Sequence, residues 1–206
     1  MSGLRELSNS LRIQRNVIHA LLMREALTRY GRHNLGLLWI IVEPMMFTIG
    51  VTLLWYAIDA NHGSDLPITA FALTGYSTVL LWRNMPNRVT AAVMSNLALM
   101  YHRNVKVIDL FIARMILEFV SLSSSFALLM LIFWALEFLE PPENIPGLLF
   151  AWSMTAWFGV SLGLFLGAIG ERSELIEKIW HPLAYLLFPL SGAAFIADAF
   201  SPSVRE

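Results

Sequence analysis

Cysteine is absent, so disulfides are excluded and thiol usage says nothing about redox compartment. Charge is scarce: Asp, Glu, Lys and Arg make up 14% of the chain, against about a quarter in soluble domains. No Gly is followed by Lys, so there is no Gly-x-x-x-x-Gly-Lys phosphate loop and the chain is not itself a P-loop ATPase. His-Glu-x-x-His is also missing, and the histidines at 19, 33, 62, 102 and 181 are scattered. Most of them fall at span borders or in loops, where an interfacial role fits better than metal ligation, so no metal site is expected. Glu137, Glu140 and Glu143 lie close together, but on a loop whose acidity suits an outer location better than acid/base chemistry. With no catalytic cluster, an enzyme is disfavoured. No secretory signal is expected at the N-terminus, because Arg5, Arg12 and Arg15 interrupt any apolar h-region and no small-residue cleavage site follows. The formal net charge of −1 points to no charged partner, and no nucleic acid is expected.

What is present is apolar. Hydrophobic residues make up 57% of the 206, the mean hydropathy is +0.62, and seven Trp contribute to 12% aromatics. These values predict an all-α, polytopic membrane protein. From Leu4 to about Tyr30, Leu4, Leu7, Leu11, Ile18 and Leu22 keep one helical face, while Arg5, Asn9, Arg12, Asn16 and His19 share an adjoining one. Residues 1–33 therefore read as an amphipathic helix lying in the cytoplasmic interface, its Leu face toward acyl chains and its Arg residues near headgroups. Residues 34–206 read as a transmembrane domain with five spans, at about 34–58, 66–100, 110–136, 146–170 and 179–197. Pro44 is expected to break or kink the first span. The second is expected to be one long bent helix whose far end projects into the cytoplasm. With the N-terminus inside, every Lys and Arg except Arg205 falls in inner segments or within helices, as the positive-inside rule demands.

Polar residues inside apolar runs are the candidates for function. A charge at the bilayer centre costs about 2.5 to 3.5 kcal/mol on insertion scales, so it is paired or functional. Arg83 with Asn87, and Asn84 with Arg88, are i, i+4 pairs that give the second span a polar strip. Glu43 and Glu118 are available as counter-charges. The strip fits a polar, partly cationic translocation pathway of Glu43, Arg83, Asn84, Asn87 and Arg88. Snorkelling of Arg83 and Arg88 to the inner interface is the competing reading. Gly159, Gly163 and Gly167 recur every four residues and form a flat face for close helix packing. Trp39, Trp55, Tyr56, Trp82, Trp134 and Trp180 sit near span ends, as interfacial belt residues do.

The series Leu22, Arg24-Glu25, Thr28-Arg29-Tyr30, Leu35-Gly36, Trp39 and Glu43-Pro44 resembles the opening of type-2 ABC-transporter permeases, in particular the inner-membrane proteins that export capsular polysaccharide. The similarity continues through Val105-Lys106-Val107-Ile108-Asp109, Ala113-Arg114 and Leu117-Glu118 into the Gly-rich fourth span. The resemblance implies a multi-pass inner-membrane permease with a cytoplasmic N-terminus, working as a homodimer with two ATP-binding-cassette ATPase subunits. ATP and Mg would belong to those subunits, and this chain would bind no cofactor. The cargo would be a lipid-linked polysaccharide, with periplasmic and outer-membrane export components as further candidate partners. Carried over by position, the ATPase-coupling residues are Arg24, Glu25, Arg29 and Tyr30, with His102, Arg103, Asn104 and Lys106 in the basic turn after the second span. The alternatives are a scaffold subunit with no pathway, or an exporter of O-antigen, polyol phosphate or a drug. The family has six spans and a re-entrant segment before the last, whereas this sequence stops where that segment would begin. A truncated gene product is the expectation, ahead of a natural five-span variant.

Overall fold

A computed structural model describes residues 2–31, 34–57, 67–101, 105–173 and 175–191. Among the described residues the secondary structure is helical: α1 (Ser2–Tyr30), α2 (Asn34–Ala57), α3 (Ile68–Val89), a short α4 (Leu97–Met100) preceded by a 3-10 turn, α5 (Val107–Ala135), α6 (Ile145–Gly170) and α7 (Leu175–Leu190). Three of these, Leu38–Ala57, Val107–Ala135 and Ile145–Gly170, are long and apolar enough to cross a membrane. They present large side chains outward, including Phe150, Trp157 and Phe165 on α6, as lipid-facing helices do.

The helix ends follow from local chemistry. Gly31 adopts φ 85° and donates its N–H to the Leu27 carbonyl at 3.0 Å, a left-handed cap that stops α1. At the start of α5, the Asp109 carboxylate accepts the Lys106 backbone N–H at 3.1 Å. At its end, Glu137 takes φ 63° while Phe138 N–H bonds Phe133 O and Glu137 N–H bonds Trp134 O, the Schellman pattern. Asn144 Oδ1 caps α6 by accepting the Gly147 N–H at 2.8 Å.

Pro44 does not break α2, which continues to Ala57. Proline lacks the N–H that would satisfy the Ile40 carbonyl. That carbonyl instead accepts a hydrogen bond from Ser121 Oγ of α5. The second expected span differs more. It was expected to run to about Met100, yet α3 ends at Val89, and residues 90–96 form turns and a 3-10 segment. The cause is competition for carbonyls. Arg114 Nη1 donates to Arg88 O at 2.7 Å, and Ala92 N–H turns to Val89 O instead. Ser95 Oγ and Asn96 Nδ2 then donate to Ala91 O and Ala92 O, each at 2.8 Å. The fifth expected span begins earlier than read, at Leu175, and residues 192–206 lie outside the described residues.

The core is built on α3. Leu73, Leu80, Leu81, Met85 and Val89 pack with Phe111, Met115, Leu122, Phe126 and Leu129 of α5 and Trp152 of α6. Trp152 stacks on Phe126 at 4.6 Å and donates to Ser123 Oγ at 2.9 Å. Gly159, Gly163 and Gly167 are buried where α6 crosses α3. A Cβ on Gly159 would stand 3.1 Å from Trp82 Cα, so α6 approaches α3 at backbone contact. The aromatic residues divide. Trp39, Tyr56 and Trp134 face outward, as belt residues would, whereas Trp180 is buried and meets Trp82 edge-on at 6.4 Å. For Trp180 the structure replaces the belt reading with internal packing.

α1 packs along α5 through Leu21, Leu110 and Ala113, while Leu7 and Leu11 remain exposed. The second half of α1 is absorbed into the fold, and Gln14 of the first half donates to Asp109 Oδ1 of α5 at 3.0 Å. That first half keeps an uncovered apolar face.

Candidate functional site

Four helices bring charge to one place. Glu118 of α5 has a side chain only 2% exposed, in a helix otherwise dominated by apolar residues. Its Oε2 accepts from Arg29 Nη1 of α1 at 2.9 Å and from Arg88 Nε of α3 at 3.1 Å. Its Oε1 accepts from Asn84 Nδ2 at 3.0 Å. Glu43 of α2 closes the group, with Oε1 at 3.7 Å from Arg29 Nη2 and 3.8 Å from Arg88 Nη2. Each glutamate therefore faces both arginines. Two guanidinium groups, Arg29 with its side chain 17% exposed and Arg88 with 36%, and two carboxylates form a ring that leaves no net charge, which eases placing them between helices.

These residues line a cavity of about 360 Å³ between α1, α2, α3, α5 and α7. Arg83, Asn87, Tyr76 and Leu80 of α3, Pro44 and Phe47 of α2, Ser121 of α5 and Tyr185 of α7 complete its wall. The i, i+4 spacing on α3 sets one rail of this wall, because Asn84 and Arg88 project together, as do Arg83 and Asn87. All five residues read as a pathway, Glu43, Arg83, Asn84, Asn87 and Arg88, line this one cavity.

The residues read as ATPase-coupling are distributed differently. Arg29 turns inward, with its side chain 17% exposed against Glu118 and Glu43. Arg24 donates to Asn96 Oδ1 in the segment after α3, and Glu25 pairs with Arg114 Nε of α5 at 3.1 Å. Both thus serve to fasten α1 onto the body of the protein. Lys106 is exposed at the start of α5. His102, Arg103 and Asn104, and the side chain of Tyr30, lie outside the described residues. Glu118, which the sequence offers as a counter-charge, is the hub of the group, and Arg114, Ser121, Tyr76 and Tyr185 are additions made by the structure. Glu118 and Arg114 carried a readable signal, since each is a charge inside a long apolar run. For Ser121, Tyr76 and Tyr185 the sequence held no such mark.

Residues 16–205 match the ABC-2 type transporter family. The chain is 43% identical over 197 residues to the capsule polysaccharide export inner-membrane protein CtrC of Neisseria meningitidis serogroup B, with 96% of this chain and 74% of that protein covered. It is 41% identical over 186 residues to the capsule polysaccharide export inner-membrane protein BexB of Haemophilus influenzae, covering 90% of this chain and 70% of that one. It is 32% identical over 179 residues to the polysialic acid transport protein KpsM of Escherichia coli, covering 86% and 68%. With the match extending over nearly the whole chain, and three helices long and apolar enough to cross a membrane, this protein belongs to the ABC-2 type transporter family.

Proposed function

We propose that the chain is the permease subunit of an ABC exporter that moves capsular or related surface polysaccharide across the inner membrane, using ATP hydrolysed on a separate ATPase subunit. The observation that carries the reading is the cavity: a hydroxyl- and charge-lined space bordered by five helices, of the kind a glycan needs and a scaffold does not. The similarity to proteins named for capsule polysaccharide export supports the cargo class. The missing phosphate loop supports a motor on another chain, and the charge distribution supports a cytoplasmic N-terminus. A homodimer is part of the proposal, with ATP and Mg held by the partner ATPase and none by this chain.

In this scheme the ATPase acts on α1. The end of this helix stands at the cavity wall, and Arg29 ties its last turn to α3 and α5 through Glu118. A push on α1 displaces Arg29 against Glu118 and Glu43, and so changes the polar lining of the cavity. Deletion of the gene is the test: surface polysaccharide should disappear while polysaccharide accumulates inside the cell. Normal surface polysaccharide in the deletion strain would refute export. Product that is chemically altered, or never made, would point to a synthetic role instead.

A further inference from the structure

We infer that Arg83 is the anchor of an oxyanion subsite in the cavity, taking a carboxylate or phosphate group carried by the cargo; this deepens the export reading and rests on it for the cargo's identity. The first support is the balance of charge. Arg29 and Arg88 are each met by Glu118 and Glu43, so the ring is neutral as it stands. Arg83 lines the same cavity, and among the described residues no carboxylate lies within 4.0 Å of it. It is therefore the cation that the ring leaves over.

The second support is unfilled hydrogen bonding. Arg83 Nε is buried and has no hydrogen-bond partner among the described residues, and neither has Asn87 Oδ1 one turn along α3. A buried charged donor left unsatisfied is costly, and in native proteins such a group calls for a partner. Which end of the Asn87 amide carries the nitrogen is an assignment. With the amide turned over, an N–H donor would stand where Oδ1 does now. The third support is aim. The Arg83 guanidinium carbon stands 5.1 Å from the centre of the Tyr185 ring, which holds the guanidinium by cation–π contact without satisfying its N–H groups. A guanidinium held in this way presents a planar fork of donors that matches a carboxylate or phosphate. The cavity volume of about 360 Å³ falls at the lower end for small-molecule sites and admits one charged sugar or headgroup.

Two sources share this chemistry: an acidic sugar within the glycan, and a phosphate in the glycan or its lipid anchor. The test uses the full-length gene product purified with the subunits it carries, in nanodiscs of phosphatidylcholine at low salt. It is titrated with an oligo-uronic acid, with the same oligomer reduced to its neutral alcohol, and with glycerol phosphate. The wild type should bind at least one of the two anions and not the neutral oligomer. Arg83→Gln should weaken that binding roughly tenfold to a hundredfold, the loss expected for one charge-assisted contact, and Arg83→Lys should retain part of it. Binding of the uronate alone assigns the subsite to the glycan, and binding of glycerol phosphate alone assigns it to a phosphodiester or lipid headgroup. Should Arg83→Gln fail to assemble, the nearly isosteric Asn87→Asp decides the matter by the same titration, because a carboxylate beside Arg83 should block the anion. Equal anion affinity in wild type and variant, or equal binding of the neutral oligomer, overturns the subsite. That result would leave export standing. Conversely, an anion site lost in Arg83→Gln, together with unchanged surface polysaccharide on gene deletion, would keep the subsite and remove the export reading.

Discussion

Replacing Glu118 with Gln is the most direct test of the charge ring. The carboxylate accepts three hydrogen bonds, two of them from guanidinium groups on different helices, and its side chain is 2% exposed. An amide of the same shape keeps one acceptor oxygen and turns an N–H toward a group that can only donate. Breaking a buried ion pair by removing one partner costs about 3 to 5 kcal/mol where the other charge stays buried; Arg29, 17% exposed, comes near that case, while Arg88, 36% exposed, keeps access to water. Glu43 softens the loss, since it already stands 3.7 and 3.8 Å from the same two arginines. The lower end, about 3 kcal/mol, is therefore expected. For a chain of this size that lowers the melting temperature by roughly 6 to 12 °C, readable by thermal unfolding of the purified protein in nanodiscs. Glu43→Gln is the control. Its side chain is 35% exposed and its contacts are longer, so the cost should stay below about 1 kcal/mol. A melting temperature that falls as far in Glu43→Gln as in Glu118→Gln would refute the assignment of Glu118 as the hub.

Three further variants probe the fold around the site. On the glycine face, Gly167→Ala should destabilise by about 1 to 3 kcal/mol, since its Cβ would collide with Val89 Cγ1 and stand 2.9 Å from Phe111 Cε2, whereas Gly163→Ala meets nothing nearer than 3.4 Å and should be tolerated; equal melting temperatures for the two would contradict this packing. Ser121→Ala should cost about 1 to 3 kcal/mol by orphaning the Ile40 carbonyl, but much less in a Pro44→Ala background, where residue 44 regains an N–H for that carbonyl; additive losses in the double variant would sever the proposed link. Glu137→Gly should raise stability by up to about 1 kcal/mol, because a left-handed backbone strains every side chain except glycine's, and a lowered melting temperature would count against the cap at the end of α5.

The features most legible in sequence were those set by composition and length. Apolar runs long enough to cross a bilayer appear as α2, α5 and α6, because a helix is the way a single segment satisfies its own backbone in lipid. The polar strip on α3 was legible for the same reason, since Arg83, Asn84, Asn87 and Arg88 stand out against apolar neighbours and their spacing fixes a common wall. Features that depend on distant partners were not legible. The end of α3 at Val89 is decided by Arg114, a residue of α5 that takes the Arg88 carbonyl. Arg29 belongs by sequence to a basic stretch suited to an outside partner, and only the packing of α1 on α5 shows its guanidinium turned to Glu118. The buried face of α1 was hidden in a similar way. Leu21 and Ala26 meet the body of the protein, whereas Leu7 and Leu11 on the expected apolar face remain uncovered.

The ring also accounts for how so many polar groups can stand together among apolar helices. A lone Arg88 on α3 would have to snorkel or remain uncompensated, and a lone Glu118 on α5 would be costly as an anion. Set against Arg29 and Glu43, each charge has two opposite neighbours, so a small shift of α1 or α2 lengthens one contact while another remains. Four separate helical runs are thereby held to a single arrangement by contacts that no run could satisfy alone. The same reasoning isolates Arg83. It lies on α3 within the same wall, yet the described carboxylates of the ring are committed to Arg29 and Arg88. A cation kept in such a cavity by an aromatic ring, with a buried N–H unfilled, is matched by charge arriving from outside the chain.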